Sequence, residues 1–263
     1  MYTPKWISTT YTLLELRDLG LIAGHPQALR ACRLLLDRGV CKDGGIGFGW
    51  GRSETCVSGM VLSMCARFRL KDSRLDGLAG RLLEEQLGDG GWNCRAYRGS
   101  RHGSFHTTIS VLEGLRDYEK LGGSLAREAC AAQGRGREFF LNHRLYRSHR
   151  TGEVANPVFT RFVFPPRWHF DVLRGLDYFR ECGADRDERL ADAIGVVIRR
   201  RRPDGRWSVA SHYRARVHFE MERAGEPSRW NTLRALRVLG WWKAGRSESA
   251  HATGGARRLR ESR

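Results

Sequence analysis

The chain has 263 residues, 41% hydrophobic and 29% charged, enough to bury a full core and too apolar for a wholly disordered chain. Its formal net charge is +17, from 46 Lys and Arg against 29 Asp and Glu, which points to an anionic partner. No apolar run reaches the ~18 residues of a transmembrane helix, and Met1-Tyr2-Thr3-Pro4-Lys5-Trp6 lacks the charged-then-apolar pattern of a signal peptide.

Apolar residues recur three and four apart from Tyr11 to Leu19, and the same period predicts a second helix near 26–38. A glycine-rich loop follows, Asp43-Gly44-Gly45-Ile46-Gly47-Phe48-Gly49-Trp50. Helices are predicted next from Thr55 and near 73–87, then a second loop, Gln86-Leu87-Gly88-Asp89-Gly90-Gly91-Trp92. Further helices are predicted from Thr107 and near 125–142, then a long segment over 145–168. A helix from Asp171 and one near 187–201 precede a third loop, Arg202-Pro203-Asp204-Gly205-Arg206-Trp207. A second long segment, 208–230, leads to a helix from Asn231. Both long segments are rich in aromatics and arginine, and structureless stretches beyond ~15 residues in a compact domain are commonly functional. From residue 244 the composition turns to Gly, Ser, Ala and Arg, which predicts a basic disordered tail over 244–263.

The helices align into two types. Thr12, Ser58, Ser110, Asp171 and Asn231 occupy equivalent positions, spaced 46, 52, 61 and 60 residues apart. Their five helices carry small residues and few charges and are expected inside; the four intervening helices are more charged and are expected outside. Period-two alternation is scarce, so the expected fold class is all-α.

Alternating helices punctuated by Gln86, Asp89, Gly91 and Trp92 resemble the repeat of squalene cyclases and protein prenyltransferase β subunits. Gly205 with Trp207 is a partial copy, and Gly44 to Trp50 a looser one. The resemblance implies an α/α toroid over residues 1–243, with about five repeats where the family's full rings have six. It implies a terpenoid-cyclase or prenyltransferase-like protein that binds an isoprenoid or other anionic ligand in the central cavity. The activity it would bring is prenyl transfer or a terpene lyase reaction. Two signatures of the family are absent. The cyclases' Asp-x-Asp-Asp has only Asp185-Arg186-Asp187-Glu188 as a counterpart, where Asp is expected to cap a helix. The prenyltransferases' zinc-binding Asp-x-Cys does not occur.

In a toroid the inner helices' N-termini ring one mouth, and helix N-termini favour anions. Basic and aromatic residues precede them: Lys5-Trp6, Arg52, Arg167-Trp168 and Arg229-Trp230. Arg52, Arg167 and Arg229 are expected to hold a diphosphate head, with Trp168, Trp230 and Phe105 against an apolar body. For chemistry, His169 and Asp171 are the expected proton-transfer pair, with His106 and Glu54 next. The bland readings stand beside these: arginines paired with Glu54, Glu220 or Glu222, and polar residues that cap or tie helices. The spacing of Cys56, Cys94, His102, His106 and His169 matches no zinc pattern, so no metal or other cofactor is assigned. His149, His212 and His218 fall in long loops and are expected to be solvated.

Seven cysteines, an odd number without a C-x-x-C, fit reduced thiols and a cytoplasmic setting. The alternative function is a non-catalytic module whose basic surface, including Arg199-Arg200-Arg201-Arg202, engages nucleic acid or an acidic protein. Recognised nucleic-acid-binding motifs are absent. Substrate and oligomeric state are open at this stage.

Overall fold

The structure is a computed structural model that describes residues 1–49, 51–211 and 215–258, with side chains through 244. The amphipathic segments of the sequence fold as α1 (Thr9–Asp18), α2 (Pro26–Gly39), α3 (Thr55–Arg67), α4 (Arg74–Glu84) and α5 (Phe105–Leu121). They continue as α6 (Ala126–Asn142), α7 (Val172–Glu181), α8 (Ala191–Arg199) and α9 (Arg229–Arg258). Strands among the described residues are confined to one antiparallel pair, β1 (Trp207–Ser208) and β2 (Pro227–Ser228). The protein is therefore mostly helical, as the periodicity predicts. No described helix is long and apolar enough to cross a membrane.

Local chemistry sets several boundaries. Pro26 opens α2, where a missing N–H costs nothing. Gly122 closes α5 at φ 81°, a left-handed turn that glycine adopts without strain. Ser228 Oγ accepts from the Asn231 amide at 2.9 Å and starts α9 two residues before the expected Asn231. Asp187 caps the 3₁₀ turn before α8 by accepting from Arg189 N at 2.8 Å, which bears out the capping reading of the Asp185–Glu188 string.

The odd-numbered helices pack in succession, α1 on α3, α3 on α5, α5 on α7 and α7 on α9. α3 buries eleven of its thirteen residues, so it has no solvent face, whereas α2 and α4 bury one stripe each. Glycines allow the closest crossing. A Cβ on Gly114 would lie 2.5 Å from the Gly59 carbonyl oxygen, so only glycine lets α3 and α5 approach this closely.

Three loops share one hydrogen-bond plan. Asp43, Asp89 and Asp204 each accept, through Oδ1, from the amide two residues on. Gly44, Gly90 and Gly205 follow at φ of 80°, 85° and 81°. The amides of Ile46, Trp92 and Trp207 then donate to Ser58 Oγ, Thr108 Oγ1 and Thr232 Oγ1, each on the next odd-numbered helix. Trp92 and Trp207 are fully buried, and each indole N–H donates at 2.7 Å to the carbonyl ten residues earlier. Trp50 and His212 lie outside the described residues, as do the side chains of the expected tail beyond 244 and all of 259–263.

Candidate functional site

The first residues and the segment before α7 meet at the N-terminal end of the odd-numbered helices. Trp6 is 4% exposed, edge-on to Tyr11 at 4.7 Å and to His169 at 5.9 Å. Its amide donates to the Arg216 carbonyl at 2.7 Å, and Thr12 Oγ1 lies 3.0 Å from His218 Nε2. The segment leading into α9 thus touches the start of α1; His218 is exposed, as expected, and also reaches Thr12 there.

Arg167 lies over Trp6, its guanidinium carbon 4.7 Å from the ring centroid. It is 4% exposed, yet its Nε and Nη1 make no hydrogen bond. The neighbouring Trp168 Nε1 is likewise buried without an acceptor. Lys5 Nζ stands 5.6 Å from the Trp6 and Trp168 rings. Burial depresses the Arg167 pKa, and Glu15 only partly offsets this. An unsatisfied buried donor costs ~1–3 kcal/mol, more when charged, so this cluster of donors calls for an acceptor. Arg167 also holds φ 54°, a left-handed conformation disfavoured for a side-chain-bearing residue.

Two of the expected chemical residues, His169 and His106, adjoin this cluster, and Asp171 lies two residues past His169 at the start of α7. Trp168 stacks on His169 at 3.7 Å and meets His106 edge-on at 5.1 Å. His106 Nδ1 accepts from the Phe170 amide at 2.8 Å, which leaves the neutral ring's proton on Nε2. Burial pushes His106 down to about 4 and His169 to about 3, so both are neutral at pH 7. Asp171 is the N-cap of α7: Oδ1 accepts from Arg174 N at 2.8 Å and Oδ2 from Val163 N at 3.4 Å. Burial raises its pKa, but its oxygens already have structural donors. Glu54 precedes α3, half-buried, and makes no side-chain cap bond.

The other expected ligand residues are dispersed. Arg52 stacks 3.4 Å over the exposed Tyr97. Arg229 is 82% exposed and stands 3.9 Å from Glu222. Trp230 stacks on Phe164 at 5.0 Å, and both line a cavity that Arg167 and Trp168 do not. Phe105 packs among Phe139, Phe140, Phe159 and Phe170. The polar row has structural work: Ser58 holds its loop, Ser110 Oγ donates back to the His106 carbonyl, and Asn231 Nδ2 donates to Phe162 and Ser208 carbonyls. No group of three or more His, Cys, Asp or Glu suited to a metal ion occurs among the described residues.

Sequence reasoning missed a cavity of about 270 Å³ near the C-terminal ends of α1, α3 and α5. Glu113 lines it and accepts from Arg174 Nε and Nη2 at 2.8 and 2.9 Å and from Arg17 Nη1 at 3.1 Å. Arg116 pairs with Asp117 and Glu181, and Arg234 with Asp177. Burial would raise the Glu113 carboxyl, but Arg174 and Arg17 hold it far below the usual carboxylate range. These residues are far apart in sequence, and only the i, i+3 and i, i+4 spacing within each helix hinted at a shared face.

Neither a protein-family model nor a curated protein matches this chain.

Proposed function

We propose that the chain is an α/α toroid of the terpenoid-cyclase and prenyltransferase type that binds an isoprenoid diphosphate at its N-terminal mouth. The observation that carries the reading is the set of buried donors on Arg167 and Trp168, beside Lys5, with no acceptor. A diphosphate supplies several charged acceptors in one small group, which suits a guanidinium's planar fork. Three loops of one plan, the succession of odd-numbered helices and the contact of the 215–228 segment with α1 support the ring. A partly apolar groove of about 520 Å³ between α1 and α2 begins at Ile7, next in the chain to Trp6, and gives an isoprenoid chain a place to lie. His169, neutral, is a proton acceptor of the kind a lyase step needs, whereas His106, its Nδ1 engaged by the Phe170 amide, offers an Nε2–H donor.

The experiment is a calorimetric titration with geranylgeranyl diphosphate, inorganic diphosphate and short duplex DNA at two salt concentrations. Saturable one-to-one binding of the isoprenoid diphosphate, lost in Arg167→Met, is the expected result. DNA binding that weakens steeply with salt, without diphosphate binding, would instead support the basic-surface alternative.

A further inference from the structure

Arg167 is 4% exposed, and the Trp6 ring lies against its guanidinium. An acceptor from outside therefore reaches the bare Nε and Nη1 only after a covering group moves. Most of the neighbours are anchored. Tyr11 and Glu15 sit on α1, and Trp168 and His169 run straight into the capped start of α7. Trp6 stands instead on a helix-free segment, residues 1–8, that leads into α1.

Backbone bonds and ring contacts hold that segment down. The Met1 carbonyl accepts from the Thr10 amide at 3.1 Å and from Thr10 Oγ1 at 2.9 Å. The Trp6 amide donates to the Arg216 carbonyl at 2.7 Å, and Arg216 belongs to an exposed stretch, 215–220. Tyr2 and Trp6 pack on Tyr11 at 5.1 and 4.7 Å. Lys5 Nζ stands 4.9, 5.6, 6.0 and 5.6 Å from the rings of Tyr2, Trp6, Tyr11 and Trp168.

We propose that residues 1–8 are a strap that swings out at Ile7–Ser8 to admit a diphosphate to Arg167, then closes on the bound ligand. The identity of the ligand rests on the reading above; the motion does not. The closed strap buries the Trp6 ring but leaves a guanidinium beneath it without acceptors, which is destabilising. Opening gives those donors water and exposes the ring, which is destabilising in turn. The two terms oppose each other and keep the strap poised. A diphosphate removes the first term, because it accepts from Arg167 while Trp6 returns, so binding favours the closed form. Lys5 rides on the strap, so closure delivers a second cation to the ligand. Ile7 also lines the groove between α1 and α2, so the hinge lies at the groove's mouth.

The test is hydrogen exchange of the ligand-free full chain, followed amide by amide by NMR in low urea. The Trp6 and Thr10 amides should exchange together, independently of urea, and well before the Trp92 amide. Arg167→Met should slow both by at least about five-fold, since the closed strap then covers no unpaired charge. Bound geranylgeranyl diphosphate should slow both as well. Its observed association rate should level off at high concentration in wild type and rise linearly in Trp6→Ala, checked for wild-type circular dichroism. If the Trp6 amide shares the urea dependence of Trp92, the segment opens only by global unfolding and the proposal is overturned. Unchanged or faster exchange in Arg167→Met overturns it, as does faster exchange with ligand bound. The wild-type exchange decides the strap whether or not either variant folds. A chain that binds no isoprenoid diphosphate loses the ligand reading alone, because ligand-free exchange still decides the motion.

Discussion

Arg174 and Arg167 are seven residues apart and equally buried, 3% and 4% exposed, yet they live in opposite electrostatic settings. Arg174 meets Glu113 through two nitrogens and the carbonyls of Arg167 and His169 through a third. Arg167 has an indole face and two N–H groups without acceptors. Burial alone therefore does not separate a structural arginine from a binding one. The presence or absence of a local acceptor does, because a buried charge that the fold leaves unsatisfied is destabilising until something else satisfies it.

That contrast breaks most visibly at Glu113. Glu113→Ala should strand Arg174 and Arg17 and cost about 3–5 kcal/mol of unfolding free energy in urea titration. A loss below about 1 kcal/mol would show that the cavity is wet and its ion pairs screened. Trp92→Ala should cost roughly 3–5 kcal/mol as a cavity effect while the remaining folded protein still binds diphosphate. Loss of binding without loss of stability would move Trp92 from the core to the site. Arg167→Met is the reverse case: binding lost, with stability within about 1 kcal/mol of wild type or higher, since replacing a poorly paired buried charge with an apolar chain is commonly neutral or favourable.

Acid should dismantle the two ends in order. An unfolded chain protonates its imidazoles below about pH 6.5, whereas folded His106 and His169 stay neutral down to about 4 and about 3. The unfolded state thus binds more protons, and stability falls as pH drops from about 6.5 through about 4. Glu113, whose folded pKa is depressed, contributes above its unfolded value near 4.3 and loses that contribution only at lower pH. Melting temperatures across pH 7 to 3 should show both limbs, and a double His106→Gln, His169→Gln variant should flatten the upper one. An unchanged upper limb would place the titration elsewhere.

Helices and loops were legible because their causes are local. A 3.6-residue period marks each helix, and an Asp-Gly pair marks each tight loop. The site was legible only in part. Arg167, Trp168, His169 and His106 come together as expected, since two helix starts carry them. Arg52 and Arg229 do not join them, because a position before an odd-numbered helix fixes only an end of the molecule, not a distance across it. Nothing local announced that Trp6 would cover Arg167, or that Arg17, Glu113 and Arg174 would share a cavity. These are long-range pairings, written in no single stretch of sequence.

The three matching loops also bear on the order in which the chain assembles. Each amide-to-hydroxyl tie spans only 12, 16 or 25 residues, so closing it costs little entropy. A loop can lock as soon as the next odd-numbered helix leaves the ribosome, with no need for the far end of the chain. Assembly would then run from the first loop to the third, and the Trp6–Arg216 contact would form last. Pulsed hydrogen exchange during refolding of chains truncated after α3 or α5 would reveal it, by early protection of the Ile46 amide in the first and of the Trp92 amide in the second.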